Sequence, residues 1–457
     1  MRLAATRASR SKRLTESSSS CASRTSAVAG GSAAGRRDRR VTGQHRPPGV
    51  RIVLDVRALQ EPARAPRTAA YLDGLLGAFD ADPSPGESFA FLLASDEDDP
   101  TVRFPHLEVV GRRLLPPIRL LRSGALTIDP FLLRGASLGA AWRAESRGAA
   151  GAVYHTAGGG LPIASRLPTV ATLLDLAPWE LPDGFQRTAA SRFGQRMRAQ
   201  LLRDAAAVLV GTEAVARSAR RLLHVRRDRI HVVPLAAAAA YAALGGGRAS
   251  TEEAATEITR SLGLGDRFLV YPGRYDIRHD ATTLFAALAV LARAGRPDDL
   301  PEDADWPPRL LVLGATPDDR AALARVAARH EAGDLVVYAP ALAPDDAAAV
   351  VAGSRGVALP MIAESSGLAA LDALAVGVPV IASAVGALPE IVGTAGILVE
   401  PRDRDRLAAA LVTAWGDGPV RMAIADAARE RAQRRDRTWR EVATDVRRIY
   451  AAVGIRR

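Results

Sequence analysis

The segment "AESSGLAALDALAVGVPVIAS", Ala363 to Ser383, decides the fold. Its polar start holds Glu364, Gly367 is placed to open a helix, and "PVIAS" at its end has the composition of a buried strand. A helix that leads directly into a buried strand is typical of a βαβ unit in a parallel sheet. One acid, Asp372, stands inside the apolar helical run. Packing alone gives no reason for a carboxylate there.

The same alternation of short apolar strands and Ala/Leu-rich helices extends in both directions from this segment. On the carboxyl-terminal side the predicted strands are "FLVYPGR", "RLLVLGA", "LVVYAP", "GVALPM", "PVIAS" and "GILVE", with helices over 281–294, 318–331, 344–353, 367–376 and 403–415. Earlier in the chain they are "VRIVLDVRAL", "SFAFLLAS", "LEVVG", "AVYHT", "TVATLLD", "AVLVGT" and "IHVVPL". Two such series predict an α/β protein with two doubly wound, Rossmann-like parallel-sheet domains that face a cleft.

Changes in composition place the domain boundaries. The predicted parts are a tail at 1–46, a first Rossmann-like domain at 47–240, a linker with a short helix at 241–265, a second Rossmann-like domain at 266–435 and a final amphipathic helix at 436–457. Trp439, Val442, Val446 and Tyr450 form one stripe of that last helix.

The tail holds most of the net positive charge of the chain. Residues 1–50 contain 11 of the 61 Lys and Arg but 2 of the 50 Asp and Glu, which leaves a net charge of +2 for the rest of the chain. A nearly neutral body does not favour nucleic-acid binding, so no nucleic-acid partner is expected unless the tail alone provides one. The tail is Ser/Arg-rich and lacks the apolar core of a signal peptide, which predicts disorder or an extended start codon. No apolar run is long enough for a membrane span.

The polar loop and the acid in the helix are suited to a nucleotide. Backbone N–H groups at the start of a helix near Gly367 favour an anion such as phosphate. Asp372 follows just over one turn later, and a carboxylate accepts two hydrogen bonds from a vicinal diol such as that of a ribose. The alternative is a loop acid and an unrelated Asp at a helix edge, and the two residues alone do not decide between them.

A second group of residues follows the first strand of the second domain. In "VYPGRYDIRHD", Val270 to Asp280, the strand ends before Arg274, and Arg278 and His279 come soon after. A guanidinium at the carboxyl end of a strand can neutralise a diphosphate because its planar fork matches phosphate oxygens. With a single lysine in the tail, Arg and His are the only cationic side chains of the body.

The segment "ALPMIAESSGLAALDALAVGVPVIASAVGALPEIVGTAGILVEPRDRDRLAAAL" resembles the signature of the retaining GT-B glycosyltransferases of family four, the mannosyltransferase-like enzymes. That signature has an E-x7-E pair followed by a GGxPEVVGDAG-like stretch. "FLVYPGRYDIRHDATTLFAAL" is similar to the strand and helix that bear the family's arginine and lysine, and "TWREVATDVRRIY" to its closing helix. The resemblance covers about residues 50–453 and implies a GT-B architecture whose last helix crosses back to the first domain.

The resemblance implies metal-independent transfer of a hexose, with mannose as one option, from a nucleotide-diphosphate sugar to a glycan or a lipid-linked acceptor. It implies no other cofactor. The first domain would bind the acceptor and the second the donor. Catalytic roles would fall to Arg274, Glu364 and Asp175. Donor contacts would come from Arg274, Arg278, His279, Glu364, Ser365, Ser366, Gly367, Leu368 and Asp372.

Several positions depart from the family pattern. Asp372 stands for the second Glu, His279 for the Lys, and Leu174 for the His before Asp175. "EGFG" has become "ESSG", and the glycine loop after the first strand reads "RTAAY" at 67–71. These changes keep open a second hypothesis, in which the protein is a catalytically silent GT-B partner or scaffold of an active transferase.

Two features of the first domain leave alternatives open. Residues 187–229 carry eleven Arg against three acids, which predicts either a solvated helix face or a surface that contacts anionic membrane. The expected location is accordingly cytoplasmic, or peripheral at the inner face of the membrane. The glycine-rich "YHTAGGGLP", Tyr154 to Pro162, is either a plain loop or part of the acceptor side, with His155 as a polar contact.

Overall fold

The computed structural model describes residues 50–116, 128–136, 151–158, 160–244, 249–298, 300–302, 304–434 and 437–454. The tail predicted at 1–46 lies outside these residues. Within them the chain forms two lobes, each built on one parallel sheet.

The first lobe has a seven-stranded sheet in the order β3-β2-β1-β4-β5-β6-β7, and all its neighbouring strands are parallel. Its strands are β1 (Val50–Asp55), β2 (Ser88–Ala94), β3 (Val109–Leu115), β4 (Gly151–Ala157), β5 (Thr169–Thr172), β6 (Ala207–Val210) and β7 (Ile230–Val232). Its helices are α1 (Arg57–Gln60), α2 (Pro66–Ala81), α3 (described over 128–136), α4 (Ala177–Glu180), α5 (Pro182–Phe185), α6 (Ala189–Asp204) and α7 (Glu213–Ser218), which continues as a π-helical turn (Ala219–Leu223).

The second lobe has a six-stranded parallel sheet in the order β10-β9-β8-β11-β12-β13. Its strands are β8 (Leu269–Pro272), β9 (Leu310–Leu313), β10 (Val336–Tyr338), β11 (Gly356–Leu359), β12 (Val380–Ser383) and β13 (Gly396–Val399). Helices α8 (Ala239–Leu244) and α9 (Ala249–Ser261) lead into it from the first lobe. The others are α10 (Ala281–Ala294), α11 (Pro317–Arg329), α12 (Pro344–Ala352), α13 (Leu368–Ala375), α14 (Leu388–Val392), α15 (Arg404–Trp415), α16 (Pro419–Arg434) and α17 (Trp439–Gly454).

Burial explains why the central strands are continuous apolar runs in the sequence. Every residue of β6, β11 and β12 is buried, because helices cover both faces of each sheet. Parallel strands need long crossover connections, and the helical stretches between the strands supply them. The predicted fold class, with two doubly wound parallel sheets, is confirmed.

The last helix, α17, packs on the first lobe. Val442, Val446 and Tyr450 are buried on its inner face, as the predicted stripe requires. Its first residue, Trp439, lies against α2 at Gly74, where a Cβ would come within 2.1 Å of the indole ring. Only glycine allows this close approach. The expectation that the final helix crosses back to the first lobe is confirmed.

The two lobes also meet beside the cleft. The Leu176 N–H of the first lobe donates to Ser365 Oγ of the second at 3.0 Å, in a buried position. Glu390 accepts hydrogen bonds from the N–H groups of Glu213 and Ala214, which begin α7. None of the described helices combines the length and the apolar character that a membrane crossing needs.

Candidate functional site

A cavity of about 180 Å³ lies between the lobes and is here called the cleft cavity. Strands β8 and β11 are neighbours in the second sheet, so the loops that leave their carboxyl ends open at the same edge. The start of α13 and the first turn of α2 close the cavity. Seven of the residues named from the sequence line it: Arg274, His279, Glu364, Ser366, Gly367, Leu368 and Asp372.

Glu364 is buried, and both of its carboxylate oxygens accept hydrogen bonds. Its Oε1 accepts hydrogen bonds from Ser366 N at 2.8 Å, Ser366 Oγ at 2.7 Å and Gly367 N at 2.9 Å. Its Oε2 accepts one from Arg67 Nη2 of the opposite lobe at 2.9 Å. Burial by itself raises the pKa of Glu364, but the Arg67 charge and these hydrogen bonds outweigh it and lower the pKa to about 2. The carboxylate is therefore ionised at every physiological pH.

Two glycines fix the loop that carries Glu364. Gly367 has a φ of +65°, and a Cβ there would lie 2.1 Å from Ile391 Cδ1. Gly386 has a φ of +54°, and a Cβ there would lie 1.8 Å from the carbonyl oxygen of Glu364. Side chains at either position would force the loop out of place.

Asp372 reaches the cavity from the second turn of α13. Its Oδ1 accepts a hydrogen bond from Ala238 N, at the end of the first lobe, at 2.7 Å. Burial raises the pKa of Asp372 to about 7, and the hydrogen bond from Ala238 opposes that rise only in part. The side chain therefore changes charge near neutral pH, which Glu364 does not.

Arg274 follows β8 and faces the first lobe. Its Nη1 donates to the carbonyl oxygen of Ala63 at 2.6 Å and lies 3.7 Å from Asp319 Oδ2. A backbone carbonyl and a distant carboxylate leave much of the positive charge of this guanidinium uncompensated, so it can attract an anion in the cavity.

Arg278 and His279 are held by a third acid, Asp276. Asp276 accepts from His279 Nδ1 at 2.7 Å and from Arg278 Nη1 at 3.0 Å. Burial alone raises the pKa of Asp276, but the hydrogen bond from His279 and the nearby positive charges hold it well below its ordinary value. Arg278 Nη2 also lies 3.6 Å from Asp175 Oδ2.

Four candidate residues named from the sequence do not line the cleft cavity. Arg278 and Asp175 pair with each other beside it, and Ser365 is held by Leu176 in the contact between the lobes. His155 lies in β4 and is completely buried, with its ring nitrogens 2.5 Å from Tyr450 Oη and 2.9 Å from Thr172 Oγ1. Burial lowers the pKa of His155 to about 3. Because the side chain is completely buried and both ring nitrogens have partners inside the protein, the alternative in which it contacts an acceptor is wrong.

Arg67 is a charged residue of the cleft cavity that was not predicted from the sequence as a site residue. It is the second residue of α2 and lines the cavity opposite Glu364. Burial opposes its charge, but the Glu364 carboxylate prevails and raises the pKa of Arg67. The available signal was the departure "RTAAY", where an arginine opens the stretch that matches the family's glycine loop.

Comparison with known proteins finds a family that the second lobe resembles. A model of the family described as Glycosyl transferases group 1 matches residues 266–417. D-inositol 3-phosphate glycosyltransferase of Jonesia denitrificans is 28% identical over 64% of this chain and 66% of its own length. MMP alpha-(1->4)-mannosyltransferase of Mycolicibacterium hassiacum is 40% identical over 17% of this chain and 20% of its own. The chain thus spans less than two thirds of each of these relatives.

Solved structures share the fold. Sucrose-phosphate synthase from Thermosynechococcus elongatus superposes with a TM-score of 0.63 and 19% identity, over 88% of this chain and 98% of that one. Anabaena Alr3699/HepE, solved in complex with UDP-glucose, gives 0.60 and 16% identity over 88% and 99%. At these identities the likeness establishes the architecture of two facing Rossmann-like lobes.

Proposed function

Because the model of the family Glycosyl transferases group 1 matches the second lobe, we propose that this chain is a retaining glycosyltransferase that uses a nucleotide-diphosphate sugar. One observation carries the proposal. Glu364, Asp372 and Arg274, whose chemistry suits the sugar, the ribose and the diphosphate, line the same cavity at the carboxyl edge of the second sheet. Ligands of open α/β sheets bind at this edge.

Asp372 and Arg274 would hold the two ends of the nucleoside diphosphate. One oxygen of Asp372 is bound by Ala238 N, which leaves the other for the ribose hydroxyl groups. Arg274 would exchange the carbonyl oxygen of Ala63 for a phosphate oxygen, which is the better partner for a guanidinium. The N–H groups of Ser366 and Gly367 donate to Glu364 in this structure, so they would have to be shared with the phosphate.

Arg67 would supply a second positive charge from the opposite lobe. His279 stands at the position of the family lysine and is tied to Asp276. Arg67 is charged and lines the same cavity as Arg274, and among the described residues its ion pair within 4 Å is with Glu364. In the reaction the bond between the anomeric carbon and the diphosphate oxygen breaks, and both guanidinium groups would stabilise the negative charge that develops on that oxygen.

The acceptor completes the transfer. Its hydroxyl oxygen would bond to the anomeric carbon on the face that the diphosphate leaves, and its proton would pass to the departing phosphate oxygen. Glu364, ionised and fixed by four hydrogen bonds, would contact the sugar that is moved. Asp175 and Arg278 lie beside the cavity at the lobe contact and would order that side of the site.

The relatives suggest the finer substrate. The names of the curated relatives mention inositol 3-phosphate and mannosyl transfer, which supports a hexose, with mannose as one option. A glycan or a lipid-linked compound would be the acceptor.

The exposed face of α6, with Arg192, Phe193 and Arg196, combines positive charge with an exposed aromatic ring. Such a face fits an anionic membrane surface and a peripheral location.

A catalytically silent protein is the second candidate, and one observation favours it. Arg67, the hydroxyl group of Ser366 and two backbone N–H groups donate the four hydrogen bonds that Glu364 accepts in this structure. If these contacts never exchange for a donor, the cleft remains closed and the protein serves as a partner of another transferase.

Calorimetric titration of the full chain with GDP, UDP and ADP tests the proposal. We expect micromolar binding of one nucleotide, and loss of that binding in Asp372→Ala. Asp426→Ala is the matched control because Asp426 is an exposed acid of α16 paired with Arg429. Absence of binding to all three nucleotides, in a protein shown by circular dichroism to be folded, would reject the donor site and favour the silent partner.

A further inference from the structure

Trp439 stands at the start of α17, the helix that packs on the first lobe. Two sets of contacts fix its position. Thr438 N donates to Glu441 Oε2 at 2.8 Å and Glu441 N donates to Thr438 Oγ1 at 3.4 Å, which is a reciprocal pair of bonds typical of a helix start. The indole itself lies against Gly74 of α2 and edge-on to Tyr71, with ring centres 5.7 Å apart. The start of the helix and the surface of α2 therefore set the place of the ring together.

The indole N–H of Trp439 reaches the segment between β7 and α8, through which the chain leaves the first lobe. Trp439 Nε1 donates to the carbonyl oxygen of Ala237 at 2.9 Å. The next N–H along the chain, that of Ala238, donates to Asp372 Oδ1 at 2.7 Å. The Ala237 carbonyl and the Ala238 N–H belong to one planar peptide group. A single rigid group therefore connects Trp439 to Asp372.

This connection bears on the carboxylate of Asp372. Among the described residues, Ala238 N–H is the hydrogen-bond donor to this side chain, and it holds Oδ1 while Oδ2 is left for a ligand. The same bond opposes the rise in the pKa of Asp372 that burial causes. An indole donor on the carbonyl side polarises the peptide group and strengthens its N–H as a donor. Without the indole bond, the peptide group is less firmly held and the ionised carboxylate is less well stabilised.

Trp415 of α15 provides a comparison, because its indole makes the same kind of bond at another place. Its Nε1 donates to the carbonyl oxygen of Asp305, also at 2.9 Å. The Trp415 ring is completely buried in the core of the second lobe, and neither of these two residues lines the cleft cavity. The ring of Trp439 is only partly buried. Burial of the ring explains Trp415, whereas the distinguishing feature of Trp439 is a hydrogen bond that leads to a carboxylate of the site.

We infer that Trp439 is a positioning residue of the donor site, which acts through the Ala237–Ala238 peptide group to hold Asp372 in the orientation that accepts the ribose hydroxyl groups. The inference rests on the proposed transferase function for the role of Asp372. It gives the last helix a part in the site, although Trp439 itself does not line the cleft cavity. The link between the two side chains can be measured without any nucleotide.

Calorimetry of full-chain variants with GDP, UDP and ADP tests the role in binding. Trp439→Phe keeps an aromatic ring but has no N–H donor. Trp439→His loses the six-membered ring but keeps a donor, since imidazole Nε2 takes the place of indole Nε1. At about pH 8, where imidazole is neutral, Trp439→Phe should bind the nucleotide about 2- to 10-fold more weakly than the wild type, the effect of one hydrogen bond. Trp439→His should keep more of the affinity than Trp439→Phe.

Trp415→Phe is the matched control because it removes an indole hydrogen bond of the same length to a backbone carbonyl. It should keep the nucleotide affinity of the wild type. Circular dichroism shows whether each variant is folded, and the comparison of the two Trp439 variants with each other does not depend on the control.

Urea unfolding at a series of pH values tests the link without nucleotide. The protonated Asp372 favours folding, and this contribution is lost progressively until the pH reaches the raised pKa of about 7. In Trp439→Phe the loss should continue to a pH about 0.5 to 1 unit higher, because the ionised carboxylate is less well stabilised. Trp415→Phe should give a curve parallel to that of the wild type.

The Asp372→Asn background shows whether the shift belongs to this carboxylate, because Trp439→Phe should cause no pH shift there. Tyr241 of α8 is a titratable neighbour of Asp372, but burial and the Asp372 charge raise its pKa and keep it neutral in this range. His279 lines the same cavity and is present in all the variants.

Three results would overturn the inference. They are wild-type nucleotide affinity in Trp439→Phe, weaker binding by Trp439→His than by Trp439→Phe, and parallel pH curves for Trp439→Phe and the wild type. Absence of nucleotide binding by the wild type would reject the donor site itself. The pH curves would then still decide whether Trp439 acts on Asp372, so the two failures are distinguishable.

Discussion

The two lobes share an architecture but build their sides of the cleft differently. In the second lobe, Glu364 and Asp372 lie within nine consecutive residues, and the loop and helix that carry them are one local unit. In the first lobe, Arg67, Asp175 and Ala238 come from three separate segments. A site made by one segment is visible in the sequence as a motif. A site assembled by folding is visible only in the structure.

The two lobes also differ in how far each one holds its own site residues in place. Glu364 receives three hydrogen bonds from its own loop and one from Arg67 across the cleft. Arg67, in contrast, depends on Glu364 as its ion-pair partner. The second lobe therefore prepares its part of the site largely by itself, and the first lobe completes it.

The largest effect is expected from Glu364→Ala. The change leaves Arg67 without its carboxylate and the N–H groups of Ser366 and Gly367 without their acceptor. Removal of one partner from a buried ion pair costs about 3–5 kcal/mol. Equilibrium unfolding in urea, followed by circular dichroism, measures the loss.

Glu390→Ala is the control for this variant. Glu390 is an exposed acid that also joins the lobes, through two N–H groups of α7, and its removal should cost about 1 kcal/mol. Similar losses in both variants would show that Arg67 and the loop do not depend on Glu364.

The next largest effects distinguish the roles of Arg274 and Arg67, which both line the cleft cavity. Arg274→Gln should weaken nucleoside diphosphate binding about 10- to 100-fold, because a charged hydrogen bond to the bound ligand is lost. Arg67→Gln should weaken that affinity less than Arg274→Gln does, because Arg67 gives up its ion pair with Glu364 when it turns to the phosphates. It should lower donor hydrolysis by about 10- to 100-fold, because its charge acts on the leaving group. Faster turnover in Arg67→Gln would instead identify Arg67 as a latch that blocks Glu364.

The fold could be predicted almost completely from the sequence, for a physical reason. Strands such as "VIAS" at Val380–Ser383 are buried on both faces and contain no charge, so the alternation with helices is clear. The cavity residues after β8 and β11 were predictable because the carboxyl ends of adjacent parallel strands share one edge.

The first-lobe side could not be predicted in the same way. The pairing of Arg67 with Glu364 joins residues 297 positions apart, and no local pattern encodes such a distance. His155 is a second example. One of the two alternatives for the glycine-rich stretch made His155 a ligand contact, but the residue lies in β4 and its ring is buried against Tyr450 of the last helix.

A smaller effect is expected at the contact between the lobes. Ser365→Ala removes the acceptor of the buried Leu176 N–H and should destabilise the protein by about 1–3 kcal/mol. Thermal unfolding measures the change. Ser84→Ala, at an exposed position of the first lobe, is the control and should leave the midpoint unchanged within about 0.5 kcal/mol. No difference between the variants would mean that water satisfies Leu176 and that the lobes open freely at this contact.

The smallest effect is a pH dependence at Asp372. Its pKa, raised to about 7 by burial, means that the ionised form, the better hydrogen-bond acceptor for ribose, becomes populated as the pH rises from 6 to 8. Nucleoside diphosphate affinity should therefore increase over this range by less than about tenfold.

Asp372→Asn is the control for this measurement of affinity against pH. The nucleotide ionises in the same way with both proteins, whereas only the wild type has an ionisable side chain at position 372. The stability of the folded chain should change in the opposite direction. The protonated, buried Asp372 favours folding below the ordinary Asp pKa near 3.8, and this contribution is lost as the pH rises toward 7. Parallel pH curves for wild type and Asp372→Asn, in binding and in urea unfolding, would contradict the assignment.

The most direct test is a crystal structure of the full chain with the nucleoside diphosphate that binds in calorimetry. The account predicts the ribose hydroxyl groups on Asp372, the diphosphate on Arg274, and Arg67 turned from Glu364 toward the phosphates. A nucleotide bound elsewhere, with Arg67 still paired to Glu364 in an empty cleft, would contradict it.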